Sequence, residues 1–433
     1  MKSIISLFLA LVFAPCLYCQ ELYFPPLQGN TWETVSPSSL GWCEDSIPAL
    51  IDYLDASNTK AFIVLKDGKI VMEQYFDDFL ISDLWYWASA AKSLTAFMVG
   101  IAQEDGYLSI DEPTSNYLGS AWTNMPVDQE NQITIWNQLT MTSGIDDNVG
   151  DLNCFEPSCL NFLEEPGNRW AYHNAPYTLL DQVLENATST PLNTYIYENL
   201  SLATGINGFF LMNDDNANVF YSRPRMMARF GLLMLNQGNW NGTPVLSDME
   251  YFQQMITSSQ SLNEAYGLLW WLNNTNTFML PQINFTFNGK PMPDAPSNLY
   301  SAMGKNGQII NVYPDEKMVV VRVGDAPTNE IFFVPNAYNN EICKYMSYIA
   351  CTVQSDENIE SKENWVSPNP VEQFLYIENQ GENCKVNIYN LSGQLVLSSN
   401  WMPALDVSSL TSGVYILEKQ TKSNTARERI VVK

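Results

Sequence analysis

The sequence predicts an α/β protein: an antiparallel sheet flanked by helices, with a helical subdomain, followed by a small C-terminal β-sandwich. Three observations predict it. Strand-like runs flank Asp67-Gly68 and recur between residues 299 and 323, so both ends of the main part carry strands. The stretches between them carry helical periodicity, which suggests one sheet built from the two ends with a helical insert. From Val366 onward the pattern is all-β, short strands broken by turns at Gly393 and Gly413.

Along the chain, residues 1–19 carry Lys2, an apolar run from Ile4 to Phe13, and Pro15. This reads as a signal peptide cleaved near Cys19–Gln20, too short to span a bilayer. No later segment is long and apolar enough to span either. A helix is expected over Ile47 to Leu54, then a hairpin over residues 61–76 turning at Asp67-Gly68. After Ser89, the residues Leu94, Phe97, Met98 and Ile101 mark one helix face, and Gly106 caps the end. Residues 107–165 are turn-rich with a short helix at Ile133 to Met141. Beyond Pro166-Gly167, Leu179, Leu180, Val183 and Leu184 mark another helix, and Ser222 is a candidate cap for a third through Met227, Phe230 and Met234. Strands from Ile309 to Tyr313 and Met318 to Val323 flank a Pro314-Asp315-Glu316 turn, and Ile342, Met346 and Ile349 mark a last helix. The expected domains are residues 20–354, a polar linker at 355–365, and the sandwich at 366–433.

Net charge is −26, with only 21 Lys plus Arg among 433 residues. That argues against nucleic acid and anionic lipid as partners and fits an exported soluble protein. Of the eight Cys, Cys16 and Cys19 fall in the leader; Cys43, Cys154, Cys159, Cys343, Cys351 and Cys384 follow it. In an exported chain these read as disulfides. Cys154 and Cys159 bracket a short loop and are expected to pair. Cys43 precedes the first helix, and if that helix packs beside the last one it joins Cys343 or Cys351. With one His in the chain, His173, and no paired Cys-x-x-Cys, no metal site or cofactor is expected.

The chemistry centres on Ser89-Ala-Ala-Lys92. Three residues apart at the start of a helix, Ser89 and Lys92 share a face, and the helix N-terminus favours negative charge on the Ser oxygen. Alone the spacing is weak, because short motifs recur by chance. There is no Gly-x-Ser-x-Gly elbow, and a His-based triad would have to use His173. Lys92, desolvated, is the alternative base. Tyr172 is placed to share that work as a phenolate held by the Lys92 ammonium, and Asn174 to hydrogen-bond a substrate carbonyl or Lys92. Trp85, Trp87, Trp270 and Trp271 are candidates to line an apolar acyl pocket, with core packing the competing role.

Together these segments resemble the serine β-lactamase and penicillin-binding protein superfamily, specifically class C β-lactamase-like serine hydrolases. Ser89-Ala-Ala-Lys92 is similar to the family's Ser-x-x-Lys, and Tyr172-His-Asn174 to its Tyr-x-Asn. Residues 106–113, 133–144, 225–235 and 266–271 look like its connecting segments. The resemblance implies a β-lactamase/transpeptidase-like fold and an acyl-enzyme on Ser89, with Lys92 and Tyr172 moving the proton. It implies an oxyanion site between the N–H groups of Ser89 and Lys305, the residue after Gly304. The family's Lys/His-x-Gly is here Ala302-Met303-Gly304, without the Lys or His. That points away from β-lactams and carboxylate-bearing peptides and toward a small ester or amide. The alternatives are a D-amino-acid peptidase or β-lactamase, or a non-catalytic binding protein that retains the fold.

The C-terminal part also resembles a known module. Ser367-Pro-Asn-Pro370, Val386–Val396 and Asp406–Tyr415 look like the sorting domain of type IX secretion. This implies the type IX machinery as a partner, passage through the periplasm, and a secreted or cell-surface product.

Overall fold

The computed structural model describes residues 22–213, 217–283, 285–327, 334–351, 366–377, 384–390, 394–420 and 425–433. The expected signal peptide with its cleavage site, the linker at 355–365 and the turn expected at Gly393 lie outside these residues.

The first helix, α1, runs Ile47–Ala56. A hairpin follows, β1 (Thr59–Lys66) and β2 (Lys69–Tyr75). Its turn needs two left-handed residues, and Asp67 and Gly68 supply them at φ 50° and 81°. Ser89 sits on a single 3₁₀ turn, Ala88–Ala90, that feeds α2, Ala91–Glu104. Every residue of α2 from Ala91 to Ala102 is buried, so this is the central helix of the domain. The short α3 (Ile135–Leu139) is capped by Thr134, and α4 runs Asn174–Thr188.

The next stretch departs from expectation. A hairpin occupies it, β3 (Gly208–Met212) and β4 (Asn218–Ser222). Ser222 ends β4 instead of capping a helix: its Oγ accepts Trp87 Nε1–H at 2.7 Å and donates to the Arg223 carbonyl. The helix α5 then begins at Pro224 and ends at Leu235, Pro being favoured in a first turn. Strands β5 (Trp271–Leu272), β6 (Tyr300–Gly304), β7 (Gln308–Tyr313) and β8 (Met318–Gly324) complete the sheet, and α6 (Asn336–Ile349) follows.

Among the described residues the main sheet has the order β2-β1-β8-β7-β6-β5, with antiparallel pairing throughout. The N-terminal hairpin thus pairs with the strand that arrives last, the arrangement predicted from the two ends. Helix α5 lies against one face, close enough that a Cβ on Gly231 would meet Val319 Cγ1 at 2.4 Å. Helix α6 lies against the other face, where Asn311 Nδ2 donates to Asn339 Oδ1 at 2.7 Å. A disulfide joins Cys43 to Cys351, tying the entry of α1 to the exit of α6. Cys343 is instead a buried thiol that accepts the Tyr313 hydroxyl at 3.2 Å, and burial pushes it up to about 12.

The C-terminal part forms two small sheets. One is built from β9 (Val366–Ser367), β10 (Phe374–Ile377) and β13 (Ala404–Asp406). The other is built from β11 (Lys385–Tyr389), β12 (Leu395–Asn400), β14 (Gly413–Gln420) and β15 (Thr425–Val432). Val371, Leu375, Val386, Ile388, Leu405, Leu417 and Ile430 form its own core.

Candidate active site

The turn before α2 and the end of β6 meet at one point. Tyr300, Ala302 and Gly304 share a face of β6 by strand alternation. A Cβ on Gly304 would lie 2.6 Å from the Trp87 carbonyl oxygen and 2.9 Å from the Ser89 nitrogen. Only glycine admits the Ser89 turn this close. Ala88, just before the serine, has φ 47°, an uncommon conformation for a residue with a side chain. Ala302 is fully buried on the face that abuts this turn, so the site where the resemblance leads one to look for Lys or His carries a methyl group.

Lys92 Nζ donates to Ser89 Oγ at 3.0 Å. The ammonium is 4.2 Å from the Tyr177 ring centroid and 5.1 Å from that of Tyr172. Lys92 is 4% exposed, and burial lowers its pKa from 10.5 to about 7. The Asp181 carboxylate partly opposes that fall. Tyr172 moves the other way. Burial raises it, and a hydrogen bond with Ser89 only partly offsets this. The sequence-based expectation had the Lys92 ammonium holding a phenolate; the electrostatics favour the neutral pair instead, a free amine beside a protonated phenol. Trp170, Tyr266 and Trp271 box the Tyr172 ring, Trp271 stacking at 5.9 Å and 25°.

Asn174 opens α4 at the rim of the same cleft, whose volume is about 400 Å³. Its Nδ2 donates to Asn153 Oδ1 at 2.9 Å, and its own Oδ1 has no partner among the described residues. Asn153 adjoins the Cys154–Cys159 disulfide, so that local cross-link fixes the loop that holds Asn174. Lys305 is exposed at the cleft mouth, and Asn306, at φ 65°, donates to the Tyr86 hydroxyl at 2.7 Å.

The expected group therefore converges: Ser89, Lys92, Tyr172, Asn174 and Lys305 line one cleft, with Gly304 beneath it. Trp87, Trp270 and Trp271 do not line it; they are buried in the core, and Trp85 packs on Tyr86. His173 lies outside the cleft lining as well, and burial lowers it to about 4. A cavity of about 570 Å³ lined by Met279, Phe285, Glu418 and Arg427 contains none of these groups.

Sequence reasoning missed the residues that hold the turn after Gly304. Arg322 is fully buried under it and donates to the carbonyls of Asn306 at 2.6 Å and Gly307 at 3.1 Å. It also reaches Ser57, Thr59 and Asp325. Gln308 spans β7 and β8, with Nε2 donating to the Gly324 carbonyl and Oε1 accepting the Gly324 N–H. Arg322 stands in a run of valines, and a lone Arg in an apolar strand is the signal that could have exposed it.

Known proteins are similar to this chain. A family model described as Beta-lactamase matches residues 49–338, and one described as Secretion system C-terminal sorting domain matches residues 366–433. An uncharacterized protein of Alkalihalophilus pseudofirmus is 24% identical over 309 residues, 63% of this chain and 84% of that protein. Among solved structures, a Bacillus anthracis protein described as a 6-aminohexanoate-dimer hydrolase superposes with a TM-score of 0.56 at 18% identity, covering 70% of this chain and 81% of its own. A Bacteroides dorei protein described as a beta-lactamase gives 0.55 at 16% identity, covering 72% and 99%. A penicillin-binding protein homolog from Caulobacter crescentus gives 0.54 at 11%, covering 75% and 99%. At these identities the structures attest the fold alone.

Proposed function

The chain belongs to the beta-lactamase family and ends in a secretion-system sorting domain that marks it for secretion or the cell surface, and on that premise we propose that it is a serine hydrolase cleaving a small ester or amide through an acyl-enzyme on Ser89. The observation that carries this reading is the contact between Lys92 Nζ and Ser89 Oγ at 3.0 Å, made by an amine that burial brings to about 7. Such an amine is neutral in a useful fraction near neutral pH and can accept a proton.

Ser89 Oγ attacks the substrate carbonyl carbon while its proton passes to Lys92. The oxygen of the tetrahedral adduct becomes an anion, received by the N–H groups of Ser89 and Lys305. Gly304 supports this, because it lets the two backbone segments approach. Each such donor commonly contributes roughly 3 kcal/mol. The adduct collapses, the carbon–leaving-group bond breaks, and the proton reaches the departing alcohol or amine from Lys92 through the Tyr172 hydroxyl. Water then attacks the Ser89 ester with the same groups as base, releasing the acid and restoring Ser89. Asn174, anchored by Asn153, is set to orient the acyl amide or ester oxygen.

Ala302 argues for esters and simple amides over β-lactams, because it removes the cation that would meet a substrate carboxylate. The sorting domain suggests export through the periplasm by the type IX machinery, with the main domain delivered outside the cell.

Labelling with a fluorophosphonate and a fluorescent penicillin tests the reading. The fluorophosphonate is expected to modify Ser89 and the penicillin to leave no stable adduct. Ser89→Ala should reduce hydrolysis of an activated ester by at least about a thousandfold while leaving the circular dichroism unchanged. Undiminished turnover by that variant would end the assignment. Stable penicillin labelling would move it to the peptidase or β-lactamase alternative.

A further inference from the structure

One wall of the catalytic cleft does not end at the rim. It is made by the hairpin β3–β4 and the short strand Trp85–Tyr86, which pair in the order Trp85–Tyr86, β4, β3. Successive residues of a strand face opposite sides, and residues directly opposite across a ladder share a side. Phe210 and Phe220 are cross-strand partners on the core side, buried, with their rings 5.1 Å apart. Phe220 also packs edge-on against Trp87, two residues before Ser89. The other side carries Tyr86, Tyr221 and Phe209 in register across the three strands, with Val219 opposite Leu211. Tyr86, Val219 and Tyr221 line the cleft together with Ser89 and Lys92. Phe209 and Leu211 continue that side on the next strand, and they are 39% and 54% exposed. The rings follow one another: Tyr86 and Tyr221 have centroids 6.5 Å apart, Tyr221 and Phe209 6.0 Å apart and within 18° of parallel.

From this continuity we propose that the side of the β3–β4 hairpin carrying Tyr221, Val219, Phe209 and Leu211 is a platform for a hydrocarbon chain or ring of the substrate, led out of the cleft away from Ser89. The inference rests on the hydrolase reading and deepens it, naming the substrate as an ester or amide with an uncharged, hydrocarbon-rich group. Apolar side chains scattered over a surface are ordinary, whereas a contiguous stretch that runs out of a cleft marks a place where a ligand lies. Among the described residues β3 is also the outer strand of its sheet, and an apolar side on an edge strand is a liability unless something covers it. No Asp or Glu lines the adjoining cleft, so nothing acidic there calls for a cationic group in place of hydrocarbon. The flat rings offer contact area with few rotatable bonds to fix. The platform is open on its outer side. Each added methylene laid on it should therefore raise kcat/KM about twofold, less than the roughly fourfold of full burial.

The test uses the full chain and two series of esters, all below their micelle concentrations. Nitrophenyl alkanoates from acetate to octanoate lengthen the acyl side, and alkyl acetates from ethyl to octyl lengthen the leaving side. In one series kcat/KM should climb about tenfold or more from the shortest member to the longest, and that series tells which side of the scissile bond lies on the platform. Leu211→Ser and Phe209→Ser alter side chains outside the catalytic machinery. Each should flatten the climb while leaving turnover of nitrophenyl acetate within about twofold of wild type. If Phe209→Ser does not fold, Leu211→Ser decides by itself, because its side chain is the more exposed. Two flat series in the wild type would overturn the inference, and so would a variant that loses equally on acetate and octanoate. A third contrary result is a dimer, seen by sedimentation, that Leu211→Ser splits with the chain-length profile unmoved; the face would then hold a second copy. Ser89→Ala separates the two levels. Acetate turnover that survives it removes the hydrolase reading and this inference with it; Ser89-dependent turnover with flat series removes the inference alone.

Discussion

Gly304 and Ser89 are in backbone contact: a Cβ added to Gly304 would stand 2.9 Å from the Ser89 nitrogen, 2.8 Å from that of Ala90 and 2.6 Å from the Trp87 oxygen. All three obstacles are backbone atoms, which cannot rotate away. Gly304→Ala is therefore expected to push the nucleophile turn off β6. A shift near 1 Å costs about a hundredfold in kcat/KM, and overpacking costs about 1–3 kcal/mol of stability. Steady-state kinetics and thermal unfolding together check it. An alanine variant with wild-type kinetics would show that the contact does not position Ser89.

Lys92 makes opposite demands on activity and stability. Its pKa is about 7 in the folded protein against 10.5 as the reference for the unfolded chain. The folded state therefore binds this proton less readily than the unfolded state. Above about pH 10.5 both forms are neutral and there is no penalty; the cost grows as pH falls toward 7 and is constant below it. Lys92→Met removes the cost and is expected to stabilise the protein at pH 6 by on the order of 2 kcal/mol, an effect that fades toward pH 10. Part of the gain is offset, because Asp181 loses the charge that favours its ionised form. Activity should vanish in the same variant. Denaturant unfolding at both pH values reads the sign, and a loss of stability at pH 6 would contradict it.

How much of this was legible in the sequence depended on whether the cause was local. The hairpin at Asp67-Gly68 was legible because two adjacent residues carry its left-handed turn. Ser89 and Lys92 were legible because one helical turn brings them together. Strands at both ends of the main part disclosed the sheet, since β1 had only late strands left to pair with. The β3–β4 hairpin was hidden because Ser222 before Pro224 resembles a helix cap, while its hydroxyl is taken by Trp87. Asn153 was hidden because an Asn on a loop usually faces water, and only its distant partner Asn174 makes it part of the site. Arg322 was hidden because its partners, such as the Asn306 carbonyl, are remote in sequence, although a lone Arg among valines was a signal.

Arg322 is expected to be irreplaceable by lysine. Its guanidinium satisfies carbonyls at Ser57, Asn306, Gly307 and Asp325 from one buried plane, with the Tyr338 ring 5.1 Å away. An ammonium has three donors around a point and cannot reach that set. Carbonyls left without donors each cost about 1–3 kcal/mol. Arg322→Lys should lower stability by about 3 kcal/mol and, by loosening the turn that carries Lys305, lower kcat more than it raises KM. A variant equal to wild type in both unfolding and kinetics would rule out this support.

The two disulfides should separate stability from activity. Cys43–Cys351 closes a loop with a sequence separation of 308, and neither cysteine lines the cleft, so its main effect is on the unfolded chain. Replacing both by Ser is expected to cost about 2–5 kcal/mol while kcat/KM of the folded protein stays unchanged. Cys154–Cys159, with a separation of 5, constrains the unfolded chain much less. It adjoins Asn153, whose Oδ1 is what Asn174 Nδ2 donates to at 2.9 Å. Its double Ser variant should therefore lose about 2 kcal/mol or less, yet lower kcat/KM severalfold as Asn174 loses its anchor. Thermal unfolding and ester kinetics on both variants decide the matter: if the short disulfide leaves kinetics untouched, Asn153 does not position Asn174.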